Sequence, residues 1–221
     1  MTARFLVLLA GLLLARPALA DPEIIDRPIA FGAERERLTV EYRRRHQDPA
    51  IDHSRIEPRV VVLHYTGGGS LDASWRYFDR ARLEPGRKAL RRAGALNVSA
   101  HFLVDRDGAI YRLMPETRMA RHCIGLNHVA IGIENVGDGE RYPLTAAQVR
   151  ANAALVRMLA RRFHLTHLIG HRESNAMRRH AYWRERERDY GNRKSDPGAE
   201  FLRRVRAQVE DLGLQGAPGE R

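Results

Sequence analysis

The feature of this sequence that most constrains its fold is the uninterrupted apolar run Val60 to Leu63, which opens the stretch "VVVLHYTGGG" (residues 60 to 69). A β-branched run without polar alternation is typical of a strand that is covered on both faces, as parallel strands are between two layers. The three glycines at the end of the stretch predict that the strand stops in a loop. His64 lies at this junction, and loops on a rigid scaffold are where functional sites are built.

The remaining chain mixes helix and strand signals. Residues 31 to 47 predict a surface helix that serves packing, and Ser70 predicts the N-cap of a second helix. Over residues 101 to 113, apolar and polar residues alternate on either side of Asp107-Gly108, which predicts a β-hairpin. The further predicted elements are a strand over 129 to 137, a helix over 145 to 163, a strand over 166 to 171, and a final helix capped by Asp196-Pro197. Hairpins among crossover elements predict an α/β fold: a single domain with a central mixed β-sheet flanked by helices.

The first twenty residues predict a secretory signal peptide. Arg4 precedes an apolar stretch from Phe5 to Ala15, and Ala18-Leu19-Ala20 provides small residues for cleavage. The stretch is shorter than the roughly 20 residues of a membrane-spanning helix, and no later segment is apolar enough to span. We therefore expect an exported chain, periplasmic or secreted, that is soluble after cleavage near Ala20 and monomeric.

Charge and cysteine content narrow the possible partners. The formal net charge of +11 favours polyanions such as nucleic acid, anionic lipid or acidic wall polymers. Lys88 and Lys194 are the only lysines among 38 basic residues, so Lys194 is a candidate for a role that needs a compact ammonium, with chance retention as the alternative. Cys123 is the only cysteine, which excludes an internal disulfide. A small half-buried side chain is favoured for it over a nucleophile or a metal ligand.

Three predicted strands end in a side chain suited to metal binding or proton transfer: His64, Glu134 and His171. Catalytic zinc takes three protein ligands and leaves a fourth position open, and His64, His171 and Asp196 would supply such a set. Their spacing is too wide to form a local motif, and ten histidines are available, so spacing alone is weak support.

Five segments in order carry a resemblance to a known family: "VVLHYT", "SAHFLVDRDGAIYRL", "RHCIGLNHVAIGIENVG", "LIGHRE" and "KSDPG". Together they resemble the zinc-dependent N-acetylmuramoyl-L-alanine amidases of the amidase-2 family, which are related to peptidoglycan recognition proteins and phage lysozyme-type amidases. The resemblance runs from about Arg59 to about Leu212. We therefore expect a 21–58 extension with one helix, a 59–212 amidase catalytic domain and a disordered 213–221 tail.

The resemblance also implies roles for nine residues. These are His64, His171 and Asp196 as Zn²⁺ ligands, Glu134 and Lys194 as catalytic residues, and Tyr65, Thr66, His101 and His122 as substrate-binding residues. For Tyr65, packing of the strand end is an open alternative. For His101 and His122, the alternative is a structural role or support of a ligand.

Residues 172 to 193 lengthen the interval between His171 and Asp196 beyond that of compact relatives. They predict either a basic wall with Tyr182, Trp183 and Tyr190 beside the site or a solvated loop, and His180 is a competing ligand. The predicted function is hydrolysis of the amide bond between N-acetylmuramic acid and L-alanine in peptidoglycan or its muropeptide fragments. The alternatives are a non-catalytic peptidoglycan-binding protein and a basic exported metal nuclease; no nucleic-acid partner is expected.

Overall fold

The computed structural model of the protein describes residues 20–219. All of the predicted signal peptide except Ala20 therefore lies outside the described residues. Within the described range, every helix is too short or too polar to cross a membrane.

A six-stranded sheet organises the molecule, and it is mixed, as the sequence predicts. Its strands are β1 (Ile24–Asp26), β2 (Val60–Tyr65), β3 (Phe102–Val104), β4 (Ile110–Arg112), β5 (Ala130–Asn135) and β6 (His167–Gly170). Their order across the sheet is β1-β4-β3-β5-β2-β6. The predicted hairpin is the antiparallel β3–β4 pair, whereas β2 lies between β5 and β6 and runs parallel to both.

Helices and ordered loops cover both faces. The helices are α1 (Ala33–His46), α2 (Leu71–Asp79), α3 (Lys88–Arg92), α4 (Ala146–Arg162) and α5 (Ala199–Gln208), with 3-10 turns at His171–Arg179 and Glu210–Leu212. Val61 and Leu63 pack in the same cluster as side chains of α4 and α5, and Val60 and Val62 pack in a second cluster with Cys123. Strand β2 is therefore buried on both faces, which explains its unbroken apolar run.

Local capping signals place two helices where the sequence predicts them. The Ser70 hydroxyl accepts a hydrogen bond from the backbone N–H of Ala73 at the start of α2. At the start of α4, Thr145 and Gln148 exchange side-chain to backbone hydrogen bonds of 3.1 and 2.9 Å. The predicted cap of the last helix is wrong: Gly198 precedes α5, and the Asp196 carboxylate turns towards His64 and His171.

Both ends of the described chain add to the sheet, and the order of residues 213 to 219 differs from the disorder predicted for them. Strand β1, which was not predicted, pairs with β4. The predicted disordered tail is ordered at Gln215, which accepts from the N–H of Leu168 and donates to the carbonyl of Thr166, both at 2.9 Å. Ala217 is also buried. The tail is ordered because β6 is an edge strand with backbone groups left to pair.

Candidate active site

The candidate site forms where three parallel strands end together. His64 and Glu134 are partners in the β2–β5 ladder. Leu63 is the partner of Gly170 in the β2–β6 ladder, so His171 leaves β6 beside His64. Because parallel strands present their carboxyl ends at one edge of a sheet, residues far apart in the sequence meet there.

His64, His171 and Asp196 converge as the sequence predicts. The Nδ1 atoms of the two histidines are 3.0 Å apart, and Asp196 Oδ2 lies 3.1 Å from His64 Nδ1 and 3.2 Å from His171 Nδ1. All three side chains are buried. Three ligand atoms with this spacing can all lie about 2 Å from one ion, the distance of zinc from nitrogen and oxygen ligands. The geometry and the chemistry of this donor set therefore fit a zinc ion.

The protonation of these groups also suits a metal site. Burial and the neighbouring His64 lower the pKa of His171 to about 4, so its imidazole is neutral near pH 7. Burial acts to raise the pKa of Asp196, but the adjacent imidazoles of His171 and His64 hold that pKa well below its usual range. Neutral imidazoles and an ionised carboxylate are the forms that bind a cation.

His122 fixes the orientation of His64. Its Nε2 lies 3.2 Å from the carbonyl oxygen of Ala130, so this nitrogen donates. Its Nδ1 therefore accepts from His64 Nε2–H at 3.0 Å, which leaves His64 Nδ1 without a proton and facing the other ligands. His122 also lines the cleft, but both of its ring nitrogens already have partners, so its geometry favours ligand support over substrate binding.

His101 does not reach the cleft, which corrects its prediction as a substrate-binding residue. It is fully buried; its Nδ1 accepts from the N–H of Gly132 at 3.0 Å, and its Nε2 donates to the carbonyl of Arg118 at 2.8 Å. Burial lowers the pKa of His101 to about 4. The ring is thus neutral and joins β5 to the loop before it.

Glu134 stands next to His64 at the end of β5. Its Oε2 atom is buried and has no hydrogen-bond partner among the described residues. Burial raises the pKa of Glu134 to about 7, Asp196 acts in the same direction, and His64 and Lys194 oppose it. A carboxyl group with a pKa near neutrality can both accept and return a proton.

Lys194, Tyr65 and Thr66 all line the cleft. Lys194 is exposed and directly precedes Ser195, whose hydroxyl lies 3.0 Å from the Tyr65 hydroxyl. The Thr66 hydroxyl donates to the carbonyl of Gly68 at 2.9 Å, so it also holds the loop after β2. These contacts keep the end of β2 close to the loop that carries Asp196.

The cleft is open and has a volume of about 530 Å³. Beyond the predicted residues, its walls include Tyr42, Arg121 and Asn192. Tyr42 belongs to α1, for which the sequence predicted packing alone. Of the predicted aromatic wall only Tyr190 reaches the cleft, since Tyr182 and Trp183 pack against a hydrophobic cluster instead.

Three other side chains of types that can take part in catalysis or metal binding have other roles: Cys123, His180 and Glu173. Burial raises the pKa of the Cys123 thiol to about 12, which excludes a thiolate near pH 7. His180 packs against the ring of His167, with 4.8 Å between centroids, and is not among the converging ligands. Glu173, two residues after His171, is buried; it pairs with Arg206 and accepts from the N–H of Gly170 at 3.1 Å. It therefore fixes the chain where β6 ends.

Solved structures with this fold are known. An endolysin N-acetylmuramoyl-L-alanine amidase, LysCS from Clostridium intestinale URNW, is 18% identical with a TM-score of 0.56, over 89% of this chain and 99% of that chain. The N-acetylmuramoyl-L-alanine amidase LysC from the same organism is 20% identical with a TM-score of 0.54, over 88% and 99%. At these identities the likeness shows a shared fold.

Sequence comparison identifies the family. No curated protein matches the chain. The sequence profile of Amidase_2, described as N-acetylmuramoyl-L-alanine amidase, matches residues 54–199, which contain every residue predicted to bind metal, substrate or protons. This match extends over about two thirds of the 221 residues. The chain therefore belongs to the Amidase_2 family of N-acetylmuramoyl-L-alanine amidases, enzymes that hydrolyse peptidoglycan.

Proposed function

We propose that this protein hydrolyses the amide bond between the lactyl carboxyl group of N-acetylmuramic acid and the L-alanine of the stem peptide, in a zinc-dependent reaction. The observation that carries the proposal is the convergence of His64, His171 and Asp196 at the floor of an open cleft, with 3.0 to 3.2 Å between their ligand atoms. Peptidoglycan or its muropeptide fragments are the substrate class.

His64, His171 and Asp196 would hold the ion through His64 Nδ1, His171 Nδ1 and Asp196 Oδ2. When bound there, zinc supplies Lewis-acid polarisation of the amide carbonyl and lowers the pKa of water. His122 keeps the lone pair of His64 Nδ1 directed to the ligand position, because its own Nε2–H is committed to Ala130.

Glu134 is the proposed proton carrier. With a pKa near 7 and a free Oε2 it can take a proton from the attacking water and give it to the nitrogen of the leaving L-alanine. The carbon–nitrogen bond of the amide breaks and the water oxygen stays on the lactyl carboxyl group. The second proton of that water then passes from the new carboxyl group to the amine, which gives a carboxylate and an ammonium.

Lys194 is proposed to stabilise the negative charge that develops on the carbonyl oxygen. It lies on the cleft wall two residues before Asp196, and its ammonium is close enough to act on the pKa of both Glu134 and His171. A cation placed at a developing oxyanion lowers the barrier more than it strengthens substrate binding. Tyr65 and Thr66 are proposed to line the path of the substrate.

Metal content and turnover in the wild type, His171→Ala and His180→Ala test the proposal. His180 serves as the matched control, because it is a histidine of the same segment that packs outside the site. The wild type and His180→Ala should bind one zinc per chain and release stem peptides from purified sacculi, and chelation should stop the release. His171→Ala should lose both properties.

Three outcomes would contradict the proposal. Wild-type zinc content and turnover in His171→Ala would remove His171 from the site. Binding of sacculi by the zinc-loaded wild type without release of stem peptides would favour a recognition protein, and chelator-sensitive cleavage of DNA alone would favour a nuclease.

We also propose that the protein acts outside the cytoplasm, in the periplasm or after secretion, as a monomer. The composition of residues 1 to 20 supports export, and the wall polymer that the family hydrolyses lies outside the cytoplasm. N-terminal sequencing of the exported protein should place its first residue near Asp21, whereas a retained Met1 would contradict export by this route.

A further inference from the structure

One wall of the cleft consists of chain without regular secondary structure. Residues 183 to 187 and 190 to 195 lie in neither helix nor strand, yet Tyr190 and Asn192 line the cleft. A segment without its own backbone ladder keeps one position only when other parts of the molecule hold it. The contacts of residues 184 to 192, the wall segment, therefore determine the shape of the cleft on this side.

The wall segment is anchored to α1 by a buried hydrogen-bonded pair, His46 and Glu185. His46, the last residue of α1, is 1% exposed, and its Nδ1 lies 2.8 Å from Glu185 Oε1, whose side chain is 4% exposed. His46 Nε2 lies 2.7 Å from the carbonyl oxygen of Ala93. Each ring nitrogen therefore has an oxygen partner, one on the wall segment and one on the loop after α3.

Backbone contacts accompany this pair. The N–H of Arg186 donates to the carbonyl of His46 at 3.0 Å, and the N–H of Arg184 donates to the carbonyl of Gly125 at 2.9 Å. Arg45 also pairs with Glu187, but both side chains are at least one third exposed, so water screens that pair. Of these two side-chain pairs, His46–Glu185 is therefore the one that is shielded from water.

The same histidine contacts the aromatic side chains of the cleft. The His46 ring lies between Tyr42, at 4.2 Å between centroids, and Tyr190, at 4.9 Å. The Tyr190 hydroxyl in turn accepts a hydrogen bond of 3.0 Å from Arg121 Nη2. A continuous chain of contacts thus runs from Glu185 through His46 to Tyr190 at the cleft.

We infer that the His46–Glu185 pair is a clamp that positions the wall segment, with Tyr190 and Asn192, for substrate binding. His46 is then a positioning residue. It lies outside the range 54–199 matched by the family, so α1 contributes to the substrate site from outside that range. The role in substrate binding rests on the proposed function. The effect of the clamp on the position of the wall segment can be tested without measuring turnover.

The variants His46→Gln, Glu185→Gln and the double variant test the clamp. Arg37→Gln is the matched control, because it removes an exposed ion pair with Glu41 from the same helix. With muropeptide substrate, each single clamp variant should raise KM roughly tenfold while kcat stays within about twofold, and the double variant should add little, since the two residues act as one unit. Zinc content should stay at the wild-type level.

Amide hydrogen exchange gives a readout that does not depend on activity. Exchange at Arg184 and Arg186 should accelerate at least tenfold in the clamp variants and stay unchanged in Arg37→Gln, while the amide of Leu168, which donates to Gln215, should remain protected throughout. Unchanged exchange and unchanged KM in the clamp variants would overturn the inference. A rise in KM together with comparable losses of kcat and zinc content in Glu185→Gln would also overturn it, because that result would indicate a general structural role. If the wild type shows no amidase activity, the proposed function fails, and exchange alone decides on the clamp.

Discussion

Replacement of Gly132 by alanine should weaken metal binding from a position that touches no proposed ligand. Gly132 lies in the middle of β5, where the His122 ring packs over it. A Cβ atom there would lie 2.7 Å from His122 Cγ and 2.8 Å from Nδ1. Ordinary contact begins at 3.4 Å, so the ring must retreat by about 0.7 Å. Its hydrogen bond with His64 Nε2, now 3.0 Å, would then lengthen or bend.

The displaced ring should affect both the folding free energy and the metal affinity. Overpacking of this kind costs about 1–3 kcal/mol of folding free energy. Loss of the partner that orients a metal-bound histidine typically costs about 10–100-fold in metal affinity. We therefore expect Gly132→Ala to bind zinc about 10–100 times more weakly than the wild type, and the metal-free protein to unfold at a lower temperature.

Competition with a chromophoric chelator measures the zinc affinity, and calorimetry of the metal-free protein measures the stability. Gly86→Ala is the control, since a Cβ atom at Gly86 meets nothing within 4 Å. Wild-type zinc affinity in a destabilised Gly132→Ala would refute the reasoning, because it would show that the position of the His122 ring does not govern His64.

Three further predictions concern proton transfer, charge and acid stability. Glu134→Gln should lower kcat about 10²–10⁴-fold and retain zinc, as turnover and metal analysis will show; near-normal kcat would exclude Glu134 as the proton carrier. Lys194→Gln should lower kcat about 10²–10³-fold, whereas Lys88→Gln, on the exposed α3, should not; equal turnover in both would remove the oxyanion role. Because the folded protein holds the pKa of His101 near 4, below the unfolded value of 6.5, the unfolded chain binds the extra proton and stability should fall as the pH drops from 6.5 to 4. Urea unfolding across this range measures the slope of the unfolding free energy against pH. In His101→Gln this slope should be smaller than in the wild type by up to about 1.4 kcal/mol per pH unit, and an unchanged slope would contradict the assignment.

The fold was largely predictable because its main signals are local. The apolar run of β2, the Thr145 cap of α4 and the turn at Gly108 each depend on a few neighbouring residues. The order of the strands is not local. The residue types of His64, His171 and Asp196 suggested one metal site, but their wide spacing supported it only weakly until the family resemblance was added. The ordered tail and the burial of His101 could not be predicted, because they depend on backbone groups that β6 and Gly132 present only in the folded chain.

The pairing of Gln215 with the outer side of β6 matters for handling the protein. Without that short cover, the unpaired amides of β6 would be open to a strand from another molecule. A chain shortened after Gly213 should therefore self-associate at high concentration even though its cleft is intact. Affinity tags and fusion partners at the carboxyl terminus need a spacer long enough to leave this cover in place.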